Sequence, residues 1–362
     1  MKTPYVPDSL PDAYGSLDFH IFLDELIQAA SMFEVYKEKL KDSKVDPEWF
    51  MPTLQQKEAM KSSALEGTQA TLDGVLINRV VRDEDNKYLN EVDNYFAATQ
   101  TGFQMLERGD FCDDFFLTVH RKLMSGNVRR NSDIIGEYRD YQNYVGTNAG
   151  ALVYIPPEPQ MLQGLMSKFI EYLNDPKDDI HPLVRVAVIH AQFETIHPFG
   201  DGNGRVGRIL IPLYLYSQDQ IELPYFFVSE ALEKDQHRYY KMLNDTRLPG
   251  KWNEWIKFFL SIIAKQCRKY VDIITEVNNL YAKNMDVACR LIKSSSSVVK
   301  LMDGIFHMPV FDAKIMQELT GIPLATINRY LNIMVDHGIL YTDGKKRNKM
   351  YFYYDLLSLF RD

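Results

Sequence analysis

The stretch HPFGDGNGRVGR, residues 197–208, concentrates one histidine, one carboxylate, one side-chain amide, four glycines and two arginines in twelve positions. Glycines beside an asparagine just ahead of a helix leave backbone N–H groups free to point at an anion, and the helix dipole adds positive potential at the same end. Gly202, Asn203 and Gly204 therefore read as a phosphate cradle, where the lack of bulky side chains lets backbone approach ligand closely. Arg205 and Arg208 lie three apart, so they share a helix face and can clamp further phosphates with forked donors. Asp201 can supply the single carboxylate by which Mg2+ often joins a nucleotide's phosphates. His197, at the start of the stretch, belongs to a residue type whose ordinary pKa near 6.5 suits a general base at neutral pH. A glycine-rich turn that only caps a helix is the simpler alternative. Nine constrained positions coincide here, and residue frequencies put a chance match at about 10⁻¹⁰ per start position, which sets that alternative aside. His190, Glu194 and His197 also fall at helix-like spacings and could imitate a zinc set, but HExxH is absent and the glycines and arginines would then have no task.

The same twelve residues resemble the HxFx(D/E)GNGRxxR signature of the Fic family at every defining position. In that family a helical domain transfers AMP from ATP to a hydroxyl on a target protein. The resemblance implies that His197 takes the proton from a target Ser, Thr or Tyr and that Asp201 holds Mg2+ on the α- and β-phosphates. It implies that the Gly202–Gly204 backbone forms the anion hole, that Arg205 stabilises the β-phosphate and that Arg208 binds the γ-phosphate. A segment rich in Tyr and Val, Gly136 to Pro157, carries a hairpin signal inside a helical protein. By resemblance it is the flap that pairs with the target's backbone as an added strand, with Tyr154 and Ile155 at the docking edge. Tyr240, beside Tyr239 in QHRYYKML, is the expected aromatic border of the adenine, core packing being the alternative for both. Transfer of a different phosphate-containing group stays open, because an anion cradle reads phosphates and not a base.

A second short pattern, SSALEG, fits the family's inhibitory-helix motif (S/T)xxxE(G/N) with Ser62, Glu66 and Gly67 in the defining places. Gly67 stands where a helix needs a left-handed cap, which leaves Glu66 in the last turn, where a carboxylate opposes the helix dipole. A cationic partner outside its own helix would relieve that opposition. The resemblance supplies one: Glu66 pairs with Arg208 and denies the γ-phosphate its clamp. The same glutamate could instead align a water that removes AMP from the target, as in relatives with a reverse activity.

The elements that must position these residues are mostly helices. A Pro- and Asp-rich stretch over residues 1–15 reads as an extended surface arm. Phe19, Phe22, Leu23, Leu26, Ile27 and Ala30 fit one buried helical face. A break at Asp42 to Trp49 precedes a helix over about residues 53–66, which carries the inhibitory motif. Helices follow over 161–173 and 182–196, another starts within GNGR and runs to Leu215, and a long one spans 252–293. Four serines, Ser294 to Ser297, read as a hinge. Beyond them helix, turn, helix and a basic hairpin follow in the order of a winged helix. The expected architecture is thus mainly α: a helical N-terminal module over residues 1–100, a helical core over 101–293 with its flap, and a small winged-helix α+β domain over 298–362.

Composition bounds the rest. The 362 residues are 46% apolar and 25% charged with a formal net charge of −8, a soluble globular balance that argues against general nucleic-acid coating. No apolar run approaches a membrane span and the N-terminus lacks a signal-peptide pattern, so the expectation is a cytoplasmic protein with no membrane partner. Cys112, Cys267 and Cys289 lie without metal or disulfide spacing. Lys345 to Lys349, KKRNK, form a basic wing tip that could meet DNA phosphates, yet residues 298–362 carry eight Lys or Arg against seven Asp or Glu. DNA binding and protein docking therefore both stay open for that unit, including a DNA-binding regulator whose Fic-like part senses nucleotide. Expected partners are ATP and target proteins, self-modification included; homodimer formation is left open.

Overall fold

The computed structural model describes residues 3–81, 83, 85–126, 134–146, 152–292 and 295–361. These are mainly helical, with two small antiparallel sheets. In chain order the helices are α1 (Leu23–Lys41), α2 (Pro47–Leu65), α3 (Leu72–Val81), α4 (Lys87–Leu106), α5 (Asp113–Leu123), α6 (Leu162–Asn174), α7 (Pro182–Ile196) and α8 (Asn203–Ser217). They continue as α9 (Ser229–Lys234), α10 (Gln236–Asp245), α11 (Trp252–Leu291), α12 (Ser295–His307), α13 (Ala313–Thr320), α14 (Leu324–Asp336) and α15 (Tyr354–Phe360). The chain divides into two compact units, one of Met1–Phe33, Lys61–Gln69 and Asn90–Gln266, the other of Glu34–Met60, Ala70–Leu89 and Cys267–Asp362.

The first unit is built around α7 and α8, which pack against each other. Every residue of α7 from Leu183 to Ile196 is buried, which is the pattern of a central helix rather than an amphipathic surface one. His181 caps its start by accepting from Leu183 N–H, and Pro182 occupies the first turn, where a missing N–H costs nothing. The Trp255 indole donates to Ala187 O at 2.9 Å, and Phe115, Phe116, Phe169 and Phe193 close the α5, α6 and α7 contacts with edge and stacked ring pairs. The N-terminal arm is without regular structure over residues 3–9, turns into a short 3-10 helix at Asp12–Tyr14 rather than staying extended to residue 15, and is pinned down. Tyr5 N–H donates to Ile155 O at 2.9 Å, Gln192 donates to Asp8 O at 2.7 Å, and Tyr14 donates to Asp178 at 2.9 Å.

Three expectations change here. The buried stripe of the first helix is Phe22, Ala29, Phe33 and Tyr36, whereas Phe19, Leu23 and Ile27 are exposed. The segment is apolar enough on several sides that two stripes fit the helical period, and tertiary packing selects one. The helix carrying the inhibitory motif starts at Pro47, six residues before Thr53: Asp46 accepts from Glu48 N–H at 3.0 Å and Pro47 sits in the first turn, so part of the expected break, and Pro52 with it, lies inside the helix. The hairpin is much shorter than Gly136 to Pro157. Strands β1 (Val145–Gly146) and β2 (Leu152–Tyr154) pair antiparallel, Val145 opposite Tyr154 and Gly146 opposite Leu152. Residues 147–151 lie outside the described residues.

In the second unit, β3 (Val310–Asp312), β4 (Tyr341–Thr342) and β5 (Met350–Phe352) form an antiparallel sheet in the order β3-β5-β4. Asp312 caps α13 by accepting from the N–H groups of Lys314 and Ile315, both at 2.8 Å, and Gly321 (φ 68°) ends it. The expected helix, helix and hairpin are α13, α14 and β4–β5; α12, β3 and α15 complete them. Ser295 to Ser297 open α12 rather than forming a hinge, while Ser294 lies outside the described residues. Among the described residues no helix is long and apolar enough to cross a membrane.

Candidate active site

The loop between α7 and α8 holds the motif, and its first residue has unusual backbone geometry. His197 follows α7 at φ 52°, ψ 58°, a left-handed conformation that glycine usually takes at a helix end. Its N–H donates to Phe193 O at 3.0 Å. Its Nδ1 lies 3.3 Å from Glu194 O, and a carbonyl can only accept, so Nδ1 carries the proton and Nε2 is left as the basic nitrogen. Burial pulls the imidazole down to about 4; the charges of Arg139 and Arg247 act the same way, against the Glu194 carbonyl and the Glu66 carboxylate. A neutral ring with a lone pair on Nε2 is the state a proton acceptor requires at neutral pH.

The expected cradle is the N-terminus of α8. Gly202 precedes the helix at φ 80°, and the first-turn N–H groups beyond it lack intrahelical acceptors by helix geometry. Asn203 has a different part from the one its type suggests. Its Oδ1 accepts from Phe199 N–H at 2.9 Å and its Nδ2 donates to Phe199 O at 2.8 Å, so the side chain braces the loop and leaves only backbone toward an anion. Gly202 N–H is taken by the Asp201 carboxylate at 2.6 Å. Arg205 is 1% exposed, with Nη1 3.8 Å from Glu91 and Nη2 3.7 Å from Asp201. Asp201 presents one partly exposed carboxylate at the helix mouth. That donor set suits an ion such as Mg2+ that takes one protein oxygen and completes its octahedron with phosphates and water, and it is not a dedicated cage. Among the described residues no group of three or more His, Cys, Asp or Glu could hold a metal alone. His190 in particular is sealed in the core, 3.1 Å from Gly207 O and 2.9 Å from the Tyr239 hydroxyl.

The end of α2 reaches this helix mouth. Thr68 N–H donates to Ser63 O at 3.0 Å and Gly67 N–H to Ala64 O at 2.9 Å, with Gly67 at φ 91°, the paired bonds of a Schellman cap. The cap puts Glu66 just beyond the last helical residue, facing α8. Glu66 Oε1 accepts from Arg208 Nη2 at 2.7 Å, Arg208 Nε donates to Ser62 Oγ at 2.7 Å, and Nη2 also donates to Ser62 O at 3.0 Å. Arg208 is 1% exposed; burial is the largest influence and opposes its charge, but Glu66 together with Tyr239, Tyr240 and Glu194 holds its pKa above the ordinary value. A Cβ on Gly204 would stand 2.4 Å from Glu66 Oε1. The carboxylate therefore lies in the space that Gly204 leaves open at the mouth of α8, as an internal anion.

Two expected contacts fall elsewhere, and Tyr240 has a main-chain partner as well. Tyr154 and Ile155 are each 8% exposed, so their side chains are inside the protein and not at a docking edge. The Tyr154 hydroxyl donates to Glu194 O at 2.8 Å, its ring meets His197 edge-on, and Arg247 lies over its face at 3.5 Å. Among the described flap residues the exposed large apolar side chains are Tyr141, Tyr144 and Leu152. The Tyr240 hydroxyl donates to Leu65 O, the last carbonyl of α2, at 2.9 Å, while Tyr239 is fully buried in the core.

Several further residues complete the arrangement, and of these only Glu194 stood out in the sequence, as part of a zinc-like spacing. His120 on α5 stacks on Phe199 at 3.9 Å, accepts from Gly136 N–H on Nδ1 at 3.0 Å and so donates from Nε2 to Asp201 O at 3.1 Å. Burial pulls it down to about 4, which keeps it neutral. The Thr68 hydroxyl donates to Glu91, the same carboxylate that faces Arg205. Arg139, 2% exposed, donates to three main-chain carbonyls: His197 O from Nε at 3.0 Å, Tyr141 O from Nη1 at 3.0 Å and Pro157 O from Nη2 at 2.6 Å. Glu194, pushed up to about 7 by burial, has an Oε1 without a hydrogen-bond partner. Signals for these residues were slight, because each acts through partners far away in sequence.

Residues 110–215 match the family model described as Fic/DOC family, and residues 23–104 match the Fic/DOC family N-terminal model. Over 225 residues the chain is 32% identical to the protein adenylyltransferase Fic of Culex quinquefasciatus, covering 61% of this chain and 40% of that protein. The corresponding Drosophila melanogaster protein is 30% identical over 197 residues, 52% of this chain and 36% of its own length. The matched region thus spans about two-fifths of these curated relatives. The fold matches the crystal structure of a Fic family protein from Desulfovibrio desulfuricans G20 with a TM-score of 0.57 at 19% identity, over 96% of this chain and 98% of that one. It also matches residues 134–508 of Fic-1 from C. elegans with a TM-score of 0.55 at 20% identity, over 71% and 73%.

Proposed function

Since the chain belongs to the Fic/DOC family, we propose that it is a protein adenylyltransferase that moves AMP from ATP to a Ser, Thr or Tyr hydroxyl of a target protein and is held back by Glu66. The observation that carries the reading is the loop of residues 197–208, where a neutral histidine with a basic Nε2 opens a helix mouth lined by two buried guanidiniums. His197 Nε2 takes the hydroxyl proton as the oxygen attacks the α-phosphorus. The bond from that phosphorus to the β-phosphate oxygen breaks, and pyrophosphate leaves. The backbone at Gly202 to Gly204 and the Arg205 guanidinium face the developing charge, which is where preorganised donors contribute most. Asp201 would hold Mg2+, which when bound neutralises phosphate charge.

Restraint follows from one contact. Glu66 occupies Arg208 and the space over Gly204, so the γ-phosphate lacks its clamp and ATP settles in a pose unfit for in-line attack. The flap offers the edge of β1–β2 to the target's main chain through strand addition, and Tyr240 borders the base from beside α2. Residues 298–362, whose elements follow the order of a winged helix, serve as a docking module. The free thiols of Cys112, Cys267 and Cys289 suit a reducing, cytoplasmic setting.

The test uses ATP labelled on either the α- or the γ-phosphate, with the full chain and its Glu66→Gly variant. Label transferred from the α position and never from the γ position supports AMP transfer. Label from the γ position alone would replace it with phosphate transfer.

A further inference from the structure

Arg139 is a buried cation without a carboxylate partner among the described residues, and its acceptors are main-chain carbonyls only. Such a charge is expensive to bury, so a chain that keeps it gains something a neutral side chain would not supply. Its partners identify the gain. His197 O and Pro198 O are consecutive carbonyls at the start of the motif: the first accepts from Arg139 Nε at 3.0 Å, the second from Arg139 N–H at 2.9 Å. Tyr141 and Pro157 lie on the two sides of the flap, before β1 and after β2, and Arg139 holds both of their carbonyls as well.

We propose that Arg139 is the positioning residue that locks the catalytic base to the root of the flap, so that His197 keeps its left-handed backbone and its ring faces the hydroxyl that the flap delivers. The inference rests on the adenylyl-transfer reading. A non-glycine residue at φ 52° persists only when its surroundings over-determine it. Phe193 O fixes the N–H side of His197, and Arg139 fixes the carbonyl side. Only a forked planar cation can satisfy three carbonyls in different directions; a lysine can replace the charge but not the fork. The flap and the base thereby share one anchor, and neither can shift alone. The same cation faces the imidazole together with Arg247, with the Glu66 carboxylate opposing them, and the Glu194 carbonyl and the Tyr154 ring complete the surroundings.

The experiment compares Arg139→Lys and Arg139→Gln, each in the full chain carrying Glu66→Gly, with that single variant as parent. Initial rates of AMP transfer to the chain itself are measured with Mg-ATP varied, and the titration of the His197 imidazole is followed by NMR. Misplacing a base by about an ångström costs up to about 100-fold. In both variants kcat therefore falls about 10- to 100-fold while KM for ATP stays within about twofold, because the phosphate contacts are untouched. Arg139→Lys leaves the His197 titration low, and Arg139→Gln raises it and carries the acid limb of the kcat profile upward. A variant that keeps the parent's kcat within about twofold, or loses kcat only in proportion to its unfolded fraction by circular dichroism, overturns the assignment. So does an unmoved His197 titration in Arg139→Gln. If the parent itself transfers no AMP, the functional reading fails, and the NMR titration still decides the role of Arg139.

Discussion

Replacing Glu66 by Gly in a chain already carrying His197→Ala isolates the energetics of the latch, since no turnover can follow. In the present arrangement Arg208 holds one charged hydrogen bond to Glu66 at 2.7 Å and two to Ser62, at 2.7 and 3.0 Å. Any phosphate that takes Arg208 must first displace the carboxylate. A hydrogen bond to a charged group contributes about 1.5–3 kcal/mol, and the Glu66 side chain is 26% exposed, which favours the lower part of that range. At about 1.5 kcal/mol the variant should bind ATP about tenfold more tightly, rising to about 100-fold at the upper limit. Isothermal titration of Mg-ATP into the two proteins reads the ratio directly. Equal dissociation constants would show that Arg208 is not contested between Glu66 and the nucleotide, and the steric basis of restraint would fall.

Other consequences follow from single contacts. Gly204→Ala places a Cβ 2.4 Å from Glu66 Oε1 and 3.0 Å from Arg208 Nη1, so it should expel the carboxylate and also crowd the phosphate; ATP binding by titration should weaken in both the Glu66 and the Glu66→Gly backgrounds. Gly67→Ala forces a side chain onto φ 91°, at a cost of about 1 kcal/mol or more. It should loosen the α2 cap and raise basal AMP transfer, measured by label incorporation, without touching the nucleotide site. Burial holds His120 and His197 down to about 4, whereas an unfolded histidine takes its proton near 6.5. Between those values the unfolded chain binds more protons, so stability is complete above about pH 6.5 and falls as pH drops toward 4, by up to about 3 kcal/mol for each group. Urea midpoints should decline over that window and level off above it, and a flat profile would contradict the neutral, buried states assigned to these rings.

The local features of the site were legible because they depend on neighbours in sequence. Gly202 and Asn203 mark the start of α8, Gly67 marks the cap that exposes Glu66, and the spacing of Arg205 and Arg208 sets their shared helix. The pairing of Glu66 with Arg208, 142 positions apart, was reached through family resemblance and not through spacing. Long-range burial was not legible. Tyr154 ends β2 and Ile155 follows it, yet both are buried, Tyr154 beneath Arg247 and Ile155 with its carbonyl accepting from Tyr5 of the N-terminal arm. Asn203 has the chemistry of an anion ligand, yet two hydrogen bonds to Phe199 commit it to the loop. Arg139 gave no signal, since an arginine that binds only carbonyls leaves no complementary charge to find. The first helix misled because its apolar residues surround more than one face, and only the folded chain decides which stripe is covered.

The central claim is that His197 performs AMP transfer while Glu66 restrains it. Intact-mass measurement after incubation with Mg-ATP addresses both halves at once, with the wild-type chain, Glu66→Gly and Glu66→Gly/His197→Ala side by side. Added AMP is expected on Glu66→Gly, much less on the wild type and none on the double variant. Addition of phosphate alone, or equal addition of AMP with and without His197, would contradict it.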